Sequence, residues 1–159
     1  MNMTIKQIRR WAAAVAAICL LTLFLPLYGM TAFAATARIA FSDPTASVGS
    51  EINVKMKITS SDNLSTADIM LAYDPGSLEF IEGTNAEGGN GAVRVHGDGG
   101  GANTTTLAYD LKFKASAAGT SKITVTSQEI YDASSQIVTV DKQGESQVTV
   151  SALSSASKD

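Results

Sequence analysis

The stretch "EINVKMKIT", residues 51–59, alternates without a miss: Ile52, Val54, Met56 and Ile58 against Glu51, Asn53, Lys55 and Lys57. Successive side chains of a strand point to opposite faces, so a period of two describes a strand with one face in a core and one in water. "TLAYDLKFKA" (106–115) repeats the pattern, with Leu107, Tyr109, Leu111 and Phe113 set against Ala108, Asp110, Lys112 and Lys114. Weaker runs of the same kind are "RIAF" (38–41), "LEFIE" (78–82), "AVRVH" (92–96), "SKITVTS" (121–127), "QIVTV" (136–140) and "QVTV" (147–150). Turn signals punctuate them, at Asp43-Pro44, Val48-Gly49, Asp74-Pro75-Gly76 and Ala118-Gly119. No stretch after residue 34 carries a helical stripe. Short strands with one-face alternation predict an all-β chain, two antiparallel sheets packed face to face over roughly residues 37–150.

"STADIMLAYDPGSLEF" (65–80) adds a question to that pattern. Ala67, Ile69, Leu71 and Tyr73 share the face expected to enter the core. Thr66, Asp68, Met70 and Ala72 share the other, which sets a carboxylate next to a thioether. Such a face suits a mixed interface, a charge-assisted hydrogen bond beside an adaptable apolar contact. From the residues alone, a solubilising carboxylate on an exposed face is the simpler reading.

Upstream the composition changes. Lys6, Arg9 and Arg10 precede the apolar run "WAAAVAAICLLTLFL" (11–25), which Pro26 and Gly29 break, and Ala32-Phe33-Ala34 has the small-x-small form read by signal peptidase. Residues 1–34 are thus expected to be a secretory signal peptide. A membrane anchor, which needs about 20 apolar residues, is the competing reading, so membrane association is expected only through an uncleaved signal segment. Cleavage after Ala34 leaves 125 residues, about one domain. The single cysteine and single tryptophan, Cys19 and Trp11, fall in the first 34 residues, so the domain has to rest on a packed core without disulfides. All fifteen acidic residues but only nine of the twelve basic ones lie beyond Ala34, a formal charge of −6. That balance, with no basic cluster, excludes nucleic-acid and anionic-membrane binding.

Catalytic chemistry is not expected. The lone histidine, His96, stands with Arg94 on the strand face opposite Val93 and Val95, away from the buried, carboxylate-oriented setting of a Ser-His-Asp triad. Scattered single acids offer neither the paired carboxylates of a glycosidase nor a metal set, and no cofactor is implied. The glycine-rich segment 83–103 holds eight of the thirteen glycines but lacks the lysine and following helix of a phosphate loop, and the ligand pattern of an EF-hand. It reads as two mobile connections flanking a strand at 92–96. The end of the chain, 151–159, is small and polar and reads as a tail or linker stub.

Taken in order, "VGSEINVKMKITSSDN", "STADIMLAYDPGSLEFIEG" and "LAYDLKFKASAAGTSKITVTSQEIYDA" resemble the bacterial, cellulosome-type cohesin domain, the extracellular module whose partner is the dockerin. The resemblance spans about residues 37–150. It implies a nine-stranded flattened jelly roll, with a cohesin-like domain at 35–150, and a non-catalytic role binding a dockerin-containing protein that is calcium-loaded on the dockerin side. It also implies a secreted, extracellular or cell-surface location in polysaccharide-degrading assemblies. In cohesins the strand before the "YDP" turn directs a polar residue and an aspartate outward, which correspond here to Thr66 and Asp68; Thr66 stands where an asparagine is common. Met70, Arg94 and His96 join the candidate partner-binding set from strand parity alone. The alternatives are a carbohydrate-binding module of similar architecture, with polysaccharide as ligand, or a structural module of a bacterial surface protein. Against the first, Phe41, Tyr73, Phe80, Tyr109 and Phe113 all have core-side parity, and only Tyr131 is left to offer a ring.

Overall fold

A computed structural model describes residues 35–101 and 103–153. The segment read as a signal peptide, 1–34, and most of the tail, 154–159, lie outside the described residues. The described residues form ten strands: β1 (Thr36–Phe41), β2 (Thr45–Ser47), β3 (Glu51–Tyr73), β4 (Leu78–Gly83), β5 (Ala86–Gly89), β6 (Ala92–Gly97), β7 (Thr104–Ala115), β8 (Gly119–Asp132), β9 (Thr139–Gln143) and β10 (Glu145–Ser151). No helix occurs among the described residues.

The two strands expected at 51–59 and 66–73 are one bent strand that serves both sheets. Residues 51–59 of β3 pair with β1 and β7, and residues 64–73 pair with β6 and β8. One sheet therefore runs β9–β1–β3–β7–β4 and the other β2–β10–β8–β3–β6–β5. The bend is accompanied by a change of parity. Ile52, Val54, Met56, Ile58 and Leu64 are buried at even positions, whereas Ala67, Ile69, Leu71 and Tyr73 are buried at odd ones. The register slips by one residue between Leu64 and Thr66, and such a bulge transfers the next apolar set to the correct face.

The core between the sheets is built from the alternating residues the sequence singles out. Tyr73 and Phe80 each meet Phe113 edge-on, with ring centroids 5.2 and 5.4 Å apart. Phe41 and Phe80 are only partly buried, at the margin of that core.

Three features depart from expectation. The glycine-rich segment contains a strand, β5, which pairs with β6 and touches β4 at Gly83–Ala86. Gly88 fits there because a Cβ would collide with the carbonyl of Ala92. The strand expected at 136–140 forms instead at Thr139–Gln143. The Asp132 side chain accepts the N–H groups of Ser134 and Gln136, which turns the chain and leaves Ile137 exposed. Finally, β1–β9 and β2–β10 are parallel pairs in otherwise antiparallel sheets.

Candidate functional site

The outer face of β8–β3–β6–β5 gathers all five residues singled out from the sequence. Thr66, Asp68 and Met70 project from β3 between the buried Ala67, Ile69 and Leu71, and Arg94 and His96 project from β6 beside the buried Val93 and Val95. Antiparallel pairing sets Asp68 directly opposite His96, and Met70 opposite Arg94. Side chains so placed are cross-strand neighbours.

Asp68 does not stand free on this face. Arg94 grips its carboxylate in a fork, Nε donating to Oδ1 at 3.0 Å and Nη2 to Oδ2 at 2.6 Å. The Nδ1 of His96 lies 3.7 Å from the same Oδ2, too far for a direct hydrogen bond. The guanidinium's hydrogen bond and charge hold the Asp68 carboxyl below its ordinary range against a smaller opposing effect of burial, and the pairing raises Arg94 in return. The pair is partly solvent-exposed, so it adds little to stability. Its effect is to fix the geometry of the face.

Strand β8 supplies neighbours that sequence parity misses. Ser127, Glu129 and Tyr131 lie opposite Met70, Asp68 and Thr66. Counting in twos from the buried Ile123 would send all three inward. The register shift between Met70 and Leu71 leaves Thr126 as an extra residue, its hydroxyl donating to the carbonyl of Met70 at 3.2 Å, and the face is inverted beyond it. Ile130 is accordingly buried and Glu129 exposed. The Tyr131 hydroxyl donates to Glu129 Oε2 at 3.0 Å, which pushes the phenol up, with a smaller contribution from the Asp68 charge. The only sequence signal for this extension was Tyr131 itself, an aromatic ring without a core assignment.

On the other flank, β5 sets Glu87 opposite Arg94, and Asn85, Ala86, Glu87 and His96 line a shallow depression of about 280 Å³. The patch thus combines one guanidinium, three carboxylates (Asp68, Glu87, Glu129), one imidazole, a thioether and one aromatic ring. The outer face of the opposite sheet differs in kind. Its Glu51, Asn53, Lys55 and Lys57 lie opposite Lys114, Lys112, Asp110 and Ala108, and Lys112 is paired with Glu82 at 2.6 Å. That face carries alternating charges and an ion pair, whereas the β8–β3–β6–β5 face adds a thioether, an imidazole and an aromatic ring.

No protein-family model matches the chain, and no curated protein does. Solved structures do. A non-cellulosomal cohesin from the hyperthermophilic archaeon Archaeoglobus fulgidus superposes with a TM-score of 0.61 at 21% identity, covering 73% of this chain and 91% of that one. The sixth cohesin of scaffoldin B from Acetivibrio cellulolyticus, in complex with a mutant Cel5 dockerin, gives 0.61 at 18%, covering 73% and 99%. The OlpA cohesin of Clostridium thermocellum, in complex with a dockerin, gives 0.61 at 17% with the same coverage. The chain has the cohesin fold.

Proposed function

We propose that this chain is a secreted, non-catalytic protein–protein interaction module that binds a dockerin-bearing partner outside the cell, through the outer face of β8–β3–β6–β5. The observation that carries the reading is the gathering of Thr66, Asp68, Met70, Arg94 and His96 on one sheet face of a cohesin fold. Solved proteins of that fold include cohesins in complex with dockerins. A flat face of charged, thioether and aromatic groups suits a macromolecular partner of standard interface size, about 1,600 Å² in total. Sugar recognition is served less well, because Tyr131 is the one aromatic ring on this face and a stacking platform needs more.

Calorimetric titration against a panel of calcium-loaded dockerins, in parallel with soluble glycans, tests the proposal. Binding of at least one dockerin, abolished when a chelator unfolds that partner, is the expected result. Glycan binding with every dockerin silent would replace this reading with the carbohydrate one.

A further inference from the structure

We propose that Arg94, fixed in orientation by Asp68, is the residue through which this face selects its partner. It presents donors to a neutral acceptor, a hydroxyl or a main-chain carbonyl. The inference rests on the dockerin-binding reading and adds to it the chemistry the partner must bring.

The fork to Asp68 uses two of the guanidinium's five N–H groups. The other three have no hydrogen-bond partner among the described residues. Bidentate pairing locks the guanidinium plane, so these donors are already oriented and lose little freedom on binding. The side chain of Arg94 is 46% exposed, so an approaching surface can reach it. Charge narrows the choice further. A partner carboxylate would confront Asp68, Glu87 and Glu129 together. A neutral acceptor avoids that conflict.

On this account Asp68 is a positioning residue and Arg94 makes the contact. The purified protein and its Asp68→Ala, Arg94→Ala, Arg94→Lys and doubly substituted Asp68→Ala/Arg94→Ala variants should be titrated with a dockerin that binds the wild type. Each single alanine variant should weaken binding by roughly tenfold or more, the scale of a lost hydrogen bond to a charged group. The double variant should be no worse than the weaker single one, because the two residues act as a unit. Arg94→Lys keeps the charge without the planar fork and should recover little of the loss. Melting temperatures should stay close to wild type, since the pair is exposed. Unchanged or tighter binding by Arg94→Ala, with a loss confined to Asp68→Ala, would make the carboxylate the contact and overturn the inference. Additive losses would also overturn it. If no dockerin binds the wild type, the functional reading itself has failed, and the inference with it.

Discussion

The Tyr109 hydroxyl donates to the carbonyl of Gly97 at 2.7 Å, joining the core of one sheet to the end of β6 in the other. Tyr109 is 1% exposed, and its ring fills the interior while its oxygen satisfies a main-chain group at the margin. Tyr109→Phe keeps the ring and deletes only this bond. It should cost about 1 kcal/mol in denaturant unfolding. A cost near zero would mean that water replaces the hydroxyl without loss.

The same residue sets an alkaline limit. Burial, reinforced by the negative charge of Asp98, raises the Tyr109 phenol well above its ordinary value of 10.0. Up to about pH 10 the phenol is protonated in folded and unfolded chains alike. Above it the unfolded chain releases a proton that the folded chain keeps, so stability falls as pH rises toward the folded value. Tyr131, also raised, acts in the same direction. Unfolding free energy measured from pH 8 to 11 should therefore decline above about pH 10, and less steeply in Tyr109→Phe. Equal slopes would contradict this.

Leu71 is 1% exposed, with Val93 and Val125 as its cross-strand partners. Leu71→Ala should cost about 2–5 kcal/mol in denaturant unfolding. A loss below about 0.5 kcal/mol, typical of surface positions, would mean that Leu71 faces outward and Asp68 inward.

Gly99 has a φ of +59°, and a Cβ there would lie 2.8 and 2.9 Å from the backbone oxygen and nitrogen of Ala108. Gly99→Ala combines a disfavoured conformation with a contact to backbone that cannot swing aside. It should destabilise by more than about 1 kcal/mol. Gly100 is also left-handed, but nothing lies within 4 Å of its Cβ position. Its alanine variant should therefore be the milder of the two, as paired thermal melts would show.

Cleavage of the expected signal segment after Ala34 would leave Ala35 first, and the fold has a use for that residue. Its carbonyl accepts the N–H of Thr139 at 3.1 Å, and Ala35 and Ala37 are both buried. N-terminal sequencing of secreted protein should therefore begin at Ala35. A start at Arg38, after the alternative triplet Ala35-Thr36-Ala37, would remove the first two of the six residues of β1 and should lower the melting temperature. Met1 retained on membrane-bound protein would favour an anchor.

Much of this could be read along the chain. Alternation at 51–59 and 106–115 identifies core residues because the pleat is a local property, determined by each residue and its immediate neighbours. The same reasoning placed Thr66, Asp68, Met70, Arg94 and His96 outward, as the structure has them. What alternation cannot carry is a bulge. One extra residue at Ser65 or Thr126 reverses every later parity, and whether the slip occurs depends on the strand alongside. Glu129 stayed hidden from the sequence for that reason, and Tyr131 showed only as a ring without a core assignment. Strand β5 was hidden because glycines have little intrinsic preference for a strand and Ala86–Gly89 is held by pairing with β6.

Within a run free of bulges, the sequence by itself determined which side chains leave the core, since a two-residue period needs no partner strand to define it. Only the tertiary structure decided what those side chains meet. Asp68 and Arg94 are 26 residues apart, and nothing local to either predicts that a guanidinium closes on both carboxylate oxygens. That contact depends on the register of β3 against β6, and the register is set by how Ile69, Leu71, Val93 and Val95 pack together on the inner face.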